Sequence, residues 1–190
     1  MKVPFAFQNT EYDCCSTSFL NALNFLFDRE EIPVQLIKAI NHYSLDEKSE
    51  NGVVGEGGTS YSAVERIARE FNKNDDLICC QVLNGKDVTL EKMRECLEDG
   101  GVVVARCYQE QEHYVLITDI NDQFTYLFDP YYLEEDHYID DDQVAMAFDE
   151  MFTYNRIVKN GRLMGGSKSD FSLMEPEKRE VILIKKKGAS

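Results

Sequence analysis

Apolar residues recur at helical spacing in "STSFLNALNFLF" (16–27), where Phe19, Leu20, Leu23, Leu26 and Phe27 fall on one side of a 3.6-residue period. Asp13 stands where an N-cap belongs, which puts Cys14 in the first turn. "VQLIKAINHY" (34–43), after Pro33, predicts a second amphipathic helix. The glycine-rich "NGVVGEGGTS" (51–60) reads as a loop, and Thr59 or Ser60 then caps a helix over "YSAVERIAREF" (61–71). "DLICCQVL" (76–83) reads as a strand, with Cys79 and Cys80 on opposite faces. "TLEKMRECLEDGG" (89–101) is a helix with a glycine stop. Three β-branched and aromatic runs follow: 102–108, 113–120 and 124–128, the last two joined by a polar "NDQ" turn. The pattern then predicts a helix over "DQVAMAFDEMF" (142–152), an irregular segment over 155–171 and a final strand in "REVILIKKK" (179–187). Near the start, "VPFAF" is an apolar strand suited to lining a cleft or to a dimer contact.

Helices therefore come first and mainly antiparallel strands after them, which is α+β rather than alternating βαβ. With 190 residues, no internal repeat and no linker, residues 1–190 read as a single domain able to bury a sizeable core.

Charge narrows the partners. The formal net charge is −15, so phosphate backbones and anionic membrane surfaces are repelled, while a neutral or cationic substrate is not. No apolar run approaches the ~20 residues of a membrane span, and the N-terminus has too short an apolar run for a signal peptide. The six cysteines include two adjacent pairs and no Cys-x-x-Cys, and only three histidines accompany them. That is neither a disulfide framework nor a zinc spacing, and it suits a reducing, cytoplasmic setting. Nucleotide motifs fail on spacing. In "GRLMGGSKS" (161–169) Ser167 separates Gly166 from Lys168, and "GVVGEGG" does not match Gly-x-Gly-x-x-Gly.

What remains is thiol chemistry. A helix N-terminus favours a thiolate through its dipole and free N–H groups, and a nearby imidazole favours it further. Cys14 meets the first condition. Of the histidines, His42 sits on a surface helix and His137 within the acidic block "EEDHYIDDD" (134–142), whereas His113 opens the apolar strand "HYVLITDI". If 113–120 and 124–128 form a hairpin, the start of the first strand lies beside the end of the second. His113 and Asp129 then become neighbours, with Pro130 stiffening the chain just beyond. Gln8, six residues before Cys14, is placed to offer an amide to an oxyanion. Cys15 reads as structural, or as the nucleophile if the register slips by one. Cys79, Cys80, Cys96 and Cys107 read as packing residues.

Gln, four residues and Asp-Cys opening a helix ("QNTEYDCC"), then "EHYVLITDI" and "LFDPYY", resemble the bacterial bacteriocin-processing cysteine peptidases, which cut leader peptides after a double glycine. "LEKMRECLEDGGVVVARC" is similar to that family's helix and strand before the histidine, so the likeness spans about residues 3–132. The resemblance implies a papain-like fold, no cofactor and a peptide or small amide substrate. It makes Cys14 the nucleophile, His113 the base, Asp129 its orienter and Gln8 the oxyanion donor. The family usually carries glycine where this chain has Cys15, and its well-known members are fused to a transporter and an ATPase. Transfer of the acyl group to an amine, or peptide binding without turnover, are the alternatives on the same fold.

Overall fold

The computed structural model describes residues 1–74, 76–148 and 150–188. Three helices come first: α1 (Cys14–Leu26), α2 (Val34–Tyr43) and α3 (Tyr61–Asn72). They are followed by β1 (Ile78–Asn84), α4 (Leu90–Glu98), β2 (Val102–Gln109), β3 (Gln111–Ile120), β4 (Phe124–Phe128), β5 (Val144–Met146), β6 (Arg156–Lys159), the short α5 (Asn160–Leu163) and β7 (Glu180–Lys186). The strands form one sheet in the order β1-β7-β2-β3-β4-β6-β5, with every neighbouring pair antiparallel.

Both faces of this sheet are covered, which explains why its central strands read as continuous apolar runs rather than alternating ones. On one face Val102, Val104, Leu116, Ile182 and Ile184 pack with Phe19, Leu23, Ile67 and Phe71 of the N-terminal helices. On the other, Val103, Ala105, Val115, Ile117 and Val181 pack with Met93 and Cys96 of α4 and with Leu163, Phe171 and Leu173. The period of 2 along each strand thus splits its side chains between two cores. Phe19 is fully buried and meets Phe71 edge-on, with ring centroids 5.8 Å apart. Truncating such a side chain to alanine costs about 3–5 kcal/mol.

α1 is held to the sheet by Ser18, whose hydroxyl donates to the Tyr114 carbonyl of β3 (3.1 Å). Asn21 clamps the N-terminal segment through both Ala6 backbone groups, at 2.8 and 2.9 Å. The "NDQ" turn is closed by Asn121, whose Oδ1 accepts from the N–H groups of Gln123 and Phe124.

Three expectations need correction. Within 142–152, Val144–Met146 is a strand paired with β6, and no helix occurs among the described residues there; Asp149 lies outside them. The helical spacing of the apolar residues was real, but the free edge of β6 offers a ladder of backbone partners that outweighs propensity. The segment 155–171 is not wholly irregular, because it opens with β6, which pairs with β4, and continues into α5. "VPFAF" belongs to no strand; Phe5 N–H donates to the Met151 carbonyl at 2.8 Å instead.

Candidate active site

Asp13 precedes α1 but its side chain makes no capping bond to it. The carboxylate turns back instead, accepting from the backbone N–H groups of Asn9 (3.0 Å) and Thr10 (2.7 Å). Burial works to raise its pKa, yet these bonds and the one from the Thr10 hydroxyl hold it below the ordinary carboxylate range. Asp13 therefore shapes the loop before the helix and leaves the first turn without a side-chain cap. Cys14 stands in that turn. It is 8% exposed and lines a cavity of about 310 Å³, whereas Cys15 is 0% exposed. Burial, with the charges of Cys14 and Glu180, pushes the Cys15 thiol well above its ordinary value, so this side chain remains a thiol.

His113 and Asp129 meet as the hairpin argument expects. The β3–β4 register pairs Leu116 with Phe128, and Asp129 follows directly. His113 Nε2 lies 2.7 Å from Asp129 Oδ1, and both residues are buried. Burial alone would lower the pKa of His113. The charge and hydrogen bond of Asp129, together with the hydrogen bond and charge of Cys14, outweigh it and raise the imidazole to about 10. Nε2 is taken by Asp129, which leaves Nδ1 as the free ring nitrogen of His113. Asp129 responds in the opposite sense: burial raises its carboxyl, but His113 and Arg156 hold it below the usual carboxylate range.

Asp129 has further partners that sequence reasoning missed. Its Oδ2 accepts from Gln109 Nε2 and from Arg156 Nη2, each at 3.3 Å, and its Oδ1 also accepts from Tyr131 N–H at 2.9 Å. Its backbone N–H donates to Asn155 Oδ1 (2.7 Å), and its carbonyl accepts from Asn155 Nδ2 (2.8 Å). No pattern along the chain singles out Asn155 and Arg156. The one signal was "NR" opening a β-branched run after an aromatic cluster.

Gln8 is tied to the same corner, since its backbone N–H donates to the Pro130 carbonyl at 2.9 Å. Its side-chain Nε2 donates to the Thr10 carbonyl at 2.7 Å. An amide nitrogen carries two hydrogens, so one donor remains for another acceptor. Gln8 and His113 both line a groove of about 630 Å³. Its walls include Glu11, Glu110 and Asp170, the last accepting from the Tyr138 hydroxyl at 3.0 Å. The cavity at Cys14 shares Glu11 and Gln111 with that groove and adds Glu47, Glu56 and Glu112.

Behind Cys15 lies a second buried polar group. Glu180 Oε1 accepts from the Tyr114 hydroxyl at 2.7 Å, and desolvation raises its carboxyl to about 7 against the pull of Tyr114 and Arg106. Arg106 stacks over the Tyr61 ring, 3.7 Å from its centroid, and pairs with Glu112. Neither His42 nor His137 lines the cavity at Cys14: His42 stacks edge-on against Tyr43, and His137 is an exposed residue at the groove wall. Among the described residues no helix is long and apolar enough to cross a membrane, and no cluster of three or more His, Cys, Asp or Glu is arranged to hold a metal ion.

No curated protein matches this chain by sequence. Among solved structures, a provisionally assigned C39-like peptidase from Bacillus anthracis is similar at 19% identity and a TM-score of 0.44, covering 83% of this chain and 94% of that one. The sequence pattern of the Peptidase_C39-like family matches residues 1–161, and the chain belongs to that family.

Proposed function

We propose that this chain is a cysteine peptidase, or a closely related thiol hydrolase, that cuts a peptide or amide bond with Cys14, His113, Asp129 and Gln8. One observation carries the reading. A cysteine in the uncapped first turn of a helix is close enough to a histidine to raise its pKa, and that histidine's Nε2 is held 2.7 Å from a buried aspartate. His113 holds the thiol proton as imidazolium, and the Cys14 sulfur attacks the substrate carbonyl. The oxyanion takes hydrogen bonds from the Cys14 N–H and the second hydrogen of Gln8 Nε2. His113 then passes its proton to the leaving amine, the C–N bond breaks, and a thioester remains for water to hydrolyse. Asp129 keeps the imidazole in one tautomer throughout. The reaction needs neither metal nor organic cofactor.

The carboxylates of Glu11, Glu110 and Asp170 on one side of His113, and of Glu47, Glu56 and Glu112 beside Cys14, favour a neutral or basic peptide segment. The chain is read as one papain-like domain. The insertion of β7 between β1 and β2 supports this, because it ties the end of the chain into the middle of the sheet.

The test is a mixed peptide library digested with the parent and with Cys14→Ala, products read by mass spectrometry. Cleavage by the parent and none by the variant is the expected result. Equal cleavage by both removes Cys14 from the chemistry. Products carrying an added amine instead of a new carboxylate would make the chain a transferase, and no products with retained peptide binding would make it a binding module.

A further inference from the structure

We propose that Arg156 and Asn155 of the β6 entry are positioning residues of this site. Arg156 serves as a permanent buried counter-charge that keeps Asp129 ionised while His113 gives up its proton, and Asn155 fixes the backbone from which Asp129 points. The inference rests on the cysteine peptidase reading and extends it.

The argument begins with solvation. Asp129 is 0% exposed and Arg156 is 2% exposed. A carboxylate taken out of water is strongly disfavoured unless a cation or several donors face it. During turnover the proton on His113 moves to the leaving nitrogen as the C–N bond breaks. The imidazole is then neutral, and Asp129 loses the cation 2.7 Å from its Oδ1. At that moment the remaining charge partner is Arg156, with Nη2 3.3 Å from Oδ2. A guanidinium does not deprotonate in proteins, so its charge persists through the cycle. Without it, the buried carboxylate would hold the proton on His113 more tightly and make the imidazolium a poorer acid toward the leaving group.

Arg156 is itself held for this purpose. Its Nη1 donates to the Asn155 carbonyl at 3.0 Å and its Nη2 to the Tyr131 carbonyl at 3.3 Å. The last β4–β6 pair is Leu127 with Arg156. One step further, the side chain of Asn155 replaces a strand partner, engaging both backbone groups of Asp129 at 2.7 and 2.8 Å. The ladder thus extends through a side chain to the residue whose carboxylate must be aimed. The neutral donor Gln109, 3.3 Å from Oδ2, completes the shell.

Other ionisable groups near His113 do not substitute for Arg156. Cys14 from α1 is its partner, and Cys107 of β2, opposite His113 in the register, has its thiol pushed up by burial and by Asp129. On the groove side stand Glu11, Glu110 and Asp170, with Tyr138 and the exposed His137. None of these supplies a fixed, buried positive charge.

The experiment compares two leaving groups on one acyl chain: the amide of the best-cleaved library peptide and the p-nitrophenyl ester of the same peptide. The amine must be protonated to depart, and p-nitrophenolate need not be. In Arg156→Gln the ratio of amide to ester kcat/KM should fall at least ten-fold, the alkaline limb of the pH profile should move upward, and Arg156→Lys should restore both. An unchanged ratio, with both substrates slowed equally or neither slowed, would mean that Arg156 only supports the fold and would overturn the proposal. If Arg156→Gln does not fold, Asp129→Asn with Arg156→Gln buries no charge at all. Its amide rate should then match that of Asp129→Asn alone, and a further ten-fold loss overturns the proposal. Failure of the peptidase reading is separately visible, as undiminished cleavage in Cys14→Ala.

Discussion

Replacing Asp129 by asparagine keeps the size of the side chain and an oxygen near His113 Nε2, but removes the charge. In the parent His113 is raised from 6.5 to about 10, with burial pulling it down and Asp129 and Cys14 pulling it up. That rise corresponds to about 5 kcal/mol in favour of the imidazolium at 1.36 kcal/mol per tenfold. Without the carboxylate, burial is opposed by Cys14 alone, and the imidazole returns to its ordinary value or below. At pH 8 the parent imidazole is then about 99% protonated, and the variant about 3%. kcat/KM at pH 8 should fall by at least about 30-fold, and by as much as about 10⁴-fold if the tautomer is also lost. The assay is kcat/KM from pH 5 to 10.5, with circular dichroism confirming the fold. The alkaline limb should retreat from about 10 toward 6.5. A limb that stays near 10 in a folded, slowed variant would refute the reasoning, because Asp129 would then not be what holds the proton on His113.

Other outcomes follow from the same geometry. Gln8→Ala should lower kcat by about 10²–10³ with little change in KM, measured on the same peptide, because the role proposed for its second amide hydrogen is confined to the transition state. Glu180→Gln should leave stability near pH 4 unchanged and raise it by about 3 kcal/mol at pH 8 in urea unfolding. The sign follows from a folded carboxyl that titrates at about 7 against 4.5 when unfolded: its contribution is full below 4.5 and lost as pH rises through 7. A stability difference that did not change with pH would contradict this. Brief iodoacetamide treatment of the native protein should label Cys14 and the exposed Cys79 and spare Cys15, Cys80, Cys96 and Cys107, read by peptide mass mapping. In His113→Ala the Cys14 label should slow at pH 6.5 while that on Cys79 does not.

Much of the candidate site was legible because it rests on local rules. The spacing of Phe19, Leu23 and Leu26 fixed α1 and with it the first-turn place of Cys14. The "NDQ" turn closed a hairpin whose ends had to bring His113 to Asp129. What stayed hidden was set by distant parts of the chain. Val144, Ala147, Phe148, Met151 and Phe152 fall at helical spacing, and only the edge of β6 made Val144–Met146 a strand. Arg156 is a charged residue in a short segment, and a reading by hydrophobic pattern assigns such a residue to the surface. Its complete burial follows from Asp129, 27 positions away, which no periodicity reports. The engagement of Gln8 with Thr10 is likewise a matter of loop geometry imposed by Asp13.

β7 is the last strand of the chain, yet it lies between β1 and β2. The interior of the sheet is therefore filled by a segment made after all six of the other strands. Until residues 180–186 emerge, β2 has no neighbour on that side and the wall behind Cys15, which includes Glu180, is missing. Synthesis order then acts as a safety catch: a growing polypeptide cannot complete the sheet that carries His113 before residues 180–186 are made. Trimming the strand away should yield an inert chain rather than a weakened enzyme.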